Sequence, residues 1–170
     1  MTACLYHLGY GAMGAFLMEA YDSDQRDLLT SYVKSFAERS KKVTMQQSYW
    51  AEQVAGEMYI GLSKVFANYD LFVCPTLANA GVAADFDYGR DSLMEAGQEV
   101  EGALGWVMTY PFNMLSRCPV VTMPSGQASN NVPTGIQLVG PTYEDAVVFR
   151  AAMAYEGVNG RFVPPAKIGT

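Results

Sequence analysis

The sequence has few cysteines, few basic residues and a single histidine. Its three cysteines, Cys4, Cys74 and Cys118, lie far apart and form no C-x-x-C pair. Neither a disulfide framework nor a zinc site is therefore predicted, and reduced thiols are typical of a cytoplasmic protein. The 11 lysines and arginines are outnumbered by 17 acidic residues, which gives a net charge of −6. This balance argues against a nucleic-acid-binding or membrane-binding surface, where clustered Lys and Arg are expected.

Long hydrophobic runs are also absent, although half of the 170 residues are hydrophobic. The apolar stretch at residues 5–18 is too short to span a bilayer. It has no basic region before it and is interrupted by His7 and by glycines, so it predicts a buried helix and not a signal peptide. We therefore expect residues 1–170 to form one domain or a domain fragment with a sizeable core.

Residues 1–67 are predicted to be helical. Apolar residues recur at helical spacing through the first twenty residues, and Asp22-Ser23 is a good N-terminal cap for a second helix. Thr44 followed by Gln47 is a capping-box pattern, which predicts a third helix that extends to about Ala67.

Residues 68–170 have the pattern of a strand-loop-helix part of an α/β sheet. The continuous apolar run at 71–74, ended by Pro75, is typical of a strand buried on both faces, as in the parallel part of a sheet. Residues 76–91 are small and polar and predict a loop of the kind that lines functional sites. A short helix is predicted over 92–101.

The most informative stretch runs from Thr109 to Gln137. Pro111 suits the first turn of a short helix with Thr109 as its cap, and Arg117 in the last turn suits the helix dipole. The helix must end before Pro119, because a residue that precedes proline avoids the α region.

Two strands are predicted after this helix, at 120–123 and 136–139, with a polar loop between them. The first strand is expected to close at a Pro-Ser-Gly sequence. Thr142 then predicts the start of a helix over 143–156, and the tail at 161–170 is expected to be irregular.

Two short motifs match the sequence patterns of known functional sites but lack the context that those sites need. Gly9, Gly11 and Gly14 spell G-x-G-x-x-G, but a dinucleotide fold needs a strand before the motif and only eight residues precede it. Close helix packing is the better interpretation, and a dinucleotide-binding domain remains a rival hypothesis. Ser31 and Lys34 spell S-x-x-K without the companion motifs of that chemistry, which favours a solvated helix face.

The other reactive residues have ordinary interpretations. His7 has no acidic residue near it in sequence, so a packed histidine is favoured over a Ser-His-Asp arrangement. The acidic cluster lacks the glycine-centred spacing of a calcium loop and is predicted to be solvated surface; its members are Asp85, Asp87, Asp91, Glu95, Glu99 and Glu101. The residues alone therefore predict no catalytic set, no cofactor and no metal.

Five blocks between residues 69 and 156 resemble the C-terminal part of amidase signature family enzymes. They are, in chain order, YDLFVCPT from Tyr69, TYPFN from Thr109, PVVTMPSG from Pro119, PTGIQLVG from Pro133, and a helix from Tyr143 that ends in AYE. The resemblance implies an α/β fold, with a mixed sheet flanked by helices and a helical N-terminal third.

The resemblance also implies hydrolysis of carboxamides by a serine, a bridging serine and a lysine, with an oxyanion hole of backbone N–H groups. In the family these residues belong to the N-terminal and central region. The G-G-S-S-G-G-like loop and its upstream lysine do not occur in this sequence, so no residue here inherits a catalytic role. The matching blocks are expected to supply sheet framework and part of the substrate pocket. The candidate substrate-binding residues are Trp106, Thr109, Phe112 and Asn113.

The excess of predicted helix surface over predicted strands indicates that this chain contacts a partner. The opening helices have broad apolar faces, and about three strands cannot cover them. We therefore expect this chain to act with the missing N-terminal amidase region or a companion subunit, or to form a homo-oligomer. The alternative is a non-catalytic binding or assembly module with the same architecture.

Overall fold

The computed structural model describes residues 2–160, in which helices pack against a small sheet. The N-terminal helix is continuous but changes its winding. In chain order, it is an α-helix at Thr2–Cys4, a π-helix at Leu5–Met13, and an α-helix again at Gly14–Phe16 and Met18–Tyr21. It is followed by a 3₁₀ turn at Asp24–Leu28, helix α1 at Ser31–Ser40 and helix α2 at Met45–Phe66.

The second predicted helix is divided in two. Ser23 does act as a cap, since its Oγ accepts the N–H of Gln25 at 3.1 Å, but the turn that it starts is 3₁₀. The backbone then extends at Leu29, where ψ is 141°, before α1 begins. The apolar spacing of the sequence does not reveal this break, next to which Leu28 is exposed.

Helix α2 begins where the sequence predicted. The Thr44 Oγ1 accepts the Gln47 N–H at 3.2 Å, and the Gln47 Oε1 accepts the Thr44 N–H at 2.9 Å. Both bonds of the capping box are present, so two N–H groups that the helix leaves unpaired are satisfied.

Replacing Thr44 with alanine should lower the free energy of unfolding by about 1 kcal/mol, because one capping bond is lost. Urea unfolding of the 170-residue chain measures this change. Thr30→Ala is the matched control, since Thr30 precedes α1 without a side-chain capping bond. An equal loss in both variants would contradict the role of the capping box.

The larger sheet consists of strands β1 (Phe72–Pro75), β4 (Val120–Gln127) and β5 (Pro133–Val139). It is antiparallel, with strand order β1-β5-β4. The sequence predicted that β1 belongs to the parallel part of a sheet. Within the described residues this prediction was wrong, since β1 pairs antiparallel with β5. The predicted burial on both faces is not seen either, because the Val73 side chain is 51% exposed.

A second sheet replaces the helix predicted over 92–101. Strands β2 (Ser92–Glu95) and β3 (Gln98–Glu101) form an antiparallel hairpin. Ala96 and Gly97 form its two-residue turn with φ of 50° and 79°, which is the backbone of a hairpin turn with both central residues at positive φ. The helix prediction was wrong because Ser92 and Glu95 pair with β3 and do not cap a helix.

Helix α3 spans Tyr110–Met114 and α4 spans Asp145–Asn159. Pro111 lies in the first turn of α3 as predicted, but Thr109 makes no side-chain capping bond. Arg117 lies beyond the end of α3, which is shorter than the sequence predicted. Thr142 does not cap α4, whose capping position is Glu144.

Strand β4 also continues past its predicted end at Pro124 and carries a register irregularity between Pro124 and Gly126. The tail predicted to be irregular lies outside the described residues. No helix within residues 2–160 has the length and apolar character needed to cross a membrane.

The core lies between the N-terminal helix, α2, α3 and the sheet. Val139, in the middle strand β5, is fully buried and packs with Leu62 of α2 and Leu115. On the other face of the sheet, Leu138 packs with Ala152 of α4. The sheet is therefore covered on both faces along β5, and its ends project loops.

Candidate functional site

A cavity of about 380 Å³ lies at the end of the sheet where the chain leaves β1. Two segments form its walls. One is the loop that follows β1, and the other is the start of β5 with the irregular end of β4 beside it. The lining residues are Pro75, Thr76, Leu77, Ala78, Asn79, Ala80, Gly81, Ser125, Val132, Pro133, Thr134, Gly135 and Ile136.

Backbone hydrogen bonds hold the first wall in place. The Thr76 N–H donates to Gly135 O at 3.0 Å, which keeps the loop on β5 at its start. The Thr76 carbonyl then accepts the Met108 N–H at 2.9 Å, and the Ala78 N–H donates to Trp106 O at 2.9 Å. The loop is therefore fixed on two sides by main-chain contacts.

Asn79 fixes the far end of the same loop. Its Nδ2 donates to Glu95 Oε1 at 2.6 Å, and its Oδ1 accepts the Gly81 N–H at 2.9 Å. The first bond ties the loop to the β2–β3 hairpin, and the second closes a local turn of the kind asparagine favours. The wall is thus positioned by the hairpin that the sequence did not predict.

The polar groups that line the cavity are hydroxyls, main-chain groups and the side-chain amide of Asn79. Ser125 Oγ and Thr134 Oγ1 lie 2.9 Å apart and share a hydrogen bond. Thr76 Oγ1 donates to Gly135 O at 3.1 Å. Among residues 2–160, no histidine, lysine or carboxylate lines this cavity, so its residues are suited to hold a neutral polar ligand and not to activate a nucleophile.

Two of the predicted pocket residues lie directly behind the first wall. Trp106 is buried, and its Nε1–H donates to Gly102 O at 2.8 Å, so its indole is a satisfied core group. Thr109 is half-buried and follows Met108, whose carbonyl accepts a bond from Gln137. The structure brings their backbone to the loop but does not place either side chain in the cavity lining.

The other two predicted pocket residues lie elsewhere on α3. Phe112 packs against Phe72, with ring centroids 5.7 Å apart, and joins the core around Val139. Asn113 is exposed and does not line the cavity. Residues 76–81 of the cavity lie in the loop that the sequence predicts to line a site, whereas Pro75, Ser125 and residues 132–136 were not predicted from the sequence as site residues.

The reactive motifs noted in the sequence do not assemble into a catalytic set within the described residues. The Ser31 Oγ donates to Asp87 Oδ1 at 2.6 Å, and this bond holds the pKa of the Asp87 carboxyl below its usual value. Among the described residues the Ser31 hydroxyl is therefore bonded to a carboxylate and not to Lys34, the partner that the S-x-x-K spelling requires. Glycines 9, 11 and 14 lie in the N-terminal helix with no strand before them.

His7 belongs to a second cavity of about 510 Å³, near the opposite end of the sheet. Its Nδ1 lies 2.7 Å from Glu52 Oε1 of α2, so an acid that is distant in sequence supplies its partner. Arg117 and Thr142 also line this cavity. The lone histidine is thus a surface-cleft residue with a carboxylate partner.

The acidic cluster does not form a metal site within residues 2–160. Its carboxylates bond to neighbouring protein groups, as when Glu101 Oε2 accepts the Leu104 N–H at 2.7 Å. Asp91 Oδ2 accepts the Asp87 N–H at 2.8 Å. These bonds make the acidic residues structural parts of the loop and hairpin.

Comparison with known proteins identifies the family. The sequence profile described as Amidase matches residues 6–149, which is most of the chain. The chain belongs to the amidase signature family. An acylamidase of Rhodococcus erythropolis is 30% identical over 136 residues, which cover 80% of this chain and 28% of that protein. A glutamyl-tRNA(Gln) amidotransferase subunit of Bacillus thuringiensis is 29% identical over 106 residues, or 62% of this chain and 20% of that protein.

Solved structures of the family share this fold. A bacterial aryl acylamidase superimposes with a TM-score of 0.70 at 23% identity, over 91% of this chain and 34% of that chain. A second amidase gives a TM-score of 0.74 at 16% identity with the same coverage. The amidase chain described here therefore spans between a fifth and about a third of the relatives that it matches. The predicted α/β fold with flanking helices is confirmed.

Proposed function

We propose that this chain is the C-terminal segment of an amidase that hydrolyses carboxamides through a Ser-Ser-Lys set located outside the chain. The observation that carries the proposal is the partial coverage of full-length relatives, which extends over only 28% of the acylamidase. The part that the chain matches contains sheet, flanking helices and a loop-walled cavity. In this proposal the missing region supplies the nucleophile, the base and the oxyanion hole.

The cavity beyond β1 would then be one wall of the substrate pocket. Its lining combines apolar groups, such as Leu77 and Ile136, with the hydroxyls of Ser125 and Thr134. Such a surface can bury the apolar part of an amide substrate and leave a few polar groups to orient it. The four residues predicted from the sequence to bind substrate stay predictions. None of them lines the cavity, so we propose that they act indirectly, by supporting its wall or the helix α3 beside it; they are Trp106, Thr109, Phe112 and Asn113.

Two further features support the proposed location and the proposed partners of this chain. The three cysteines are free thiols, which favours a cytoplasmic location. The exposed apolar side chains of α2 and α4, such as Ile60 and Phe149, favour further contacts with the missing amidase region or with a companion subunit.

The 170-residue chain alone should show no measurable turnover of a simple aryl acylamide, because the G-G-S-S-G-G-like loop and the upstream lysine of the family do not occur in its sequence. A fusion in which this chain replaces the matched portion of the Rhodococcus erythropolis acylamidase should recover hydrolysis. Release of the arylamine, followed by absorbance, measures both. The control is the acylamidase truncated before the matched portion, which should be inactive.

Two outcomes would contradict the proposal. Turnover by the isolated chain, or its labelling by a serine-directed fluorophosphonate, would place a nucleophile within it. A fusion that folds but hydrolyses no amide would instead favour the non-catalytic assembly module.

A further inference from the structure

Residues 76–107 leave the sheet after β1 and return beside it at Met108. They carry one wall of the cavity and the β2–β3 hairpin. At the point of departure the Met108 N–H donates to Thr76 O at 2.9 Å, so the two ends of the loop lie side by side. We call the junction of Pro75, Thr76 and Met108 the neck of this loop. Because both ends of the loop meet there, the geometry of the neck sets the position of the wall.

The side chain of Gln137 holds both ends of the neck against β5. Gln137 lies opposite Cys74 in the ladder between β5 and β1, so its amide reaches the end of β1. Its Nε2 donates to Pro75 O at 3.1 Å and to Met108 O at 2.9 Å. A side-chain amide has two N–H donors, and here both are used to fix main-chain carbonyls that are distant in sequence.

The same side chain lowers stability in another way. Gln137 is fully buried, and its Oε1 has no hydrogen-bond partner within the described residues. A buried acceptor without a partner costs free energy, because it has lost its bonds to water. An apolar side chain at this position would avoid that cost but could not bond to the neck. Departures from optimal stability are expected at positions that serve function.

Gln137 also connects the two walls of the cavity. The first wall begins at Thr76, directly after the Pro75 carbonyl that Gln137 holds. The opposite wall includes residues 135–136 of β5, which directly precede Gln137 in the chain. Gln137 is buried behind the walls and is not one of the lining residues. Its amide therefore fixes the separation of the walls without touching what lies between them.

We propose that Gln137 is a positioning residue for the substrate pocket, which sets the separation of the cavity walls by holding the neck against β5. The inference rests on the proposed function. In the complete amidase, loss of this amide would let the first wall move away from β5 and weaken its contacts with the apolar part of the substrate. The bond-breaking step uses residues outside this chain and would be affected much less.

The first test uses the fusion of this chain to the Rhodococcus erythropolis acylamidase and measures steady-state hydrolysis of an aryl acylamide. Gln137→Leu should raise KM by about tenfold or more and change kcat by less than about threefold, because the lost contacts belong to substrate binding. Thr44→Ala is the control, because it removes a bond of the α2 capping box and lowers stability without touching the neck. Its KM should stay within about threefold of that of the unaltered fusion.

Gln137→Glu is a conservative variant whose effect depends on protonation. A protonated glutamic acid has one O–H that can donate to a neck carbonyl, whereas the carboxylate has none. The KM of this variant, relative to that of the unaltered fusion, should therefore fall by about threefold or more between about pH 7 and about pH 5. The relative KM of Gln137→Leu should not depend on pH. A residue that only fills space in the core would give no such difference.

Amide hydrogen exchange of the 170-residue chain supplies a measurement that does not depend on activity. The Met108 N–H, which bonds to Thr76 O, should exchange about tenfold faster or more in Gln137→Leu, because local opening of the neck becomes easier. The Gly140 N–H bonds to Pro119 O beyond the other end of β5. Its exchange should change by less than about threefold.

The inference is overturned by an unchanged KM in Gln137→Leu, by an equal rise of KM in Thr44→Ala, or by equal acceleration of exchange at Met108 and Gly140. A Gln137→Glu fusion whose relative KM does not respond to pH also overturns it. If Gln137→Leu does not fold, the pH dependence of Gln137→Glu remains as the test.

These outcomes are separable from a failure of the proposed function. A fusion that hydrolyses no amide removes the proposed activity, while faster exchange at Met108 than at Gly140 still supports the hold of Gln137 on the cavity wall. An active fusion whose KM is insensitive to Gln137→Leu does the reverse.

Discussion

Replacing Gln137 with leucine should lower the free energy of unfolding by about 1–3 kcal/mol, because two partly buried hydrogen bonds to carbonyls lose their donor. The Gln137 side chain is fully buried in β5, and its Nε2 donates to Pro75 O at 3.1 Å and to Met108 O at 2.9 Å. These bonds connect β5 to the end of β1 and to the segment behind the cavity wall. Leucine has a similar volume and fills the space but donates nothing.

Urea unfolding of the 170-residue chain measures the loss. Gln127→Leu is the control, because Gln127 is an exposed glutamine on β4 and surface substitutions usually change stability by less than about 0.5 kcal/mol. The unpaired Gln137 Oε1 is also removed by leucine, which offsets part of the cost. A stability equal to that of the unaltered chain would show that the two carbonyl bonds contribute nothing net.

The variant Gln137→Glu should make the free energy of unfolding depend on pH. A carboxylate at this buried position faces two carbonyl oxygens, so the folded chain favours the protonated form and the pKa of the new carboxyl is raised above its unfolded value. The unfolded state then releases a proton that the folded state retains. The variant should therefore lose stability as pH rises above about 4.3, by up to about 1.4 kcal/mol per pH unit, until the folded pKa is reached. The difference from the unaltered chain, measured between about pH 4 and 7, isolates this group.

Features set by local contacts were predictable from the sequence. The start of α2 depends on Thr44 and Gln47, which are three residues apart. The strands β4 and β5 and the short helix at Pro111 likewise follow from apolar runs and prolines. In each case the decisive interactions involve neighbours in sequence, so a pattern can report them.

The β2–β3 hairpin was not predictable for a specific reason. Its turn places Ala96 at a φ of 50°, a conformation that alanine rarely adopts and that no sequence pattern indicates. The hairpin is held by contacts from outside it, such as the bond from Asn79 to Glu95. Tertiary contacts therefore override a plausible helix cap at Ser92.

The candidate site was only partly predictable because its walls join segments that are distant in sequence. The cavity combines residues 75–81 with 125 and 132–136. Aromatic residues such as Trp106 and Phe112 were favoured from the sequence, but large apolar groups are the ones that a small core needs most. Small residues such as Ala78 and Gly81, which shape the cavity, carry no distinctive signal. Residues 76–81 of the predicted loop line the candidate cavity, and the conformation of this part of the loop depends on the bonds of Asn79.

Replacing Gly14 with alanine should lower the free energy of unfolding by about 2–3 kcal/mol, because the added methyl overpacks a helix contact. A Cβ at Gly14 would lie 2.6 Å from Ser40 Cβ and 2.7 Å from Phe36 O. The second atom belongs to the backbone of α1, so rotation of a side chain cannot relieve it. The backbone of Gly14 itself is ordinary helix, with φ of −61°, and alanine is otherwise favoured there.

Gly61→Ala separates close packing from backbone preference. Gly61 lies in α2, and apart from the adjacent backbone of α2 itself no atom of the described residues lies within 4 Å of the position that an added methyl would occupy. Alanine should therefore stabilise the chain by up to about 1 kcal/mol through its helix propensity. Opposite signs in the two variants, measured by thermal and urea unfolding, would show that Gly14 is required for the approach of two helices. A gain in both would show that α1 can move away.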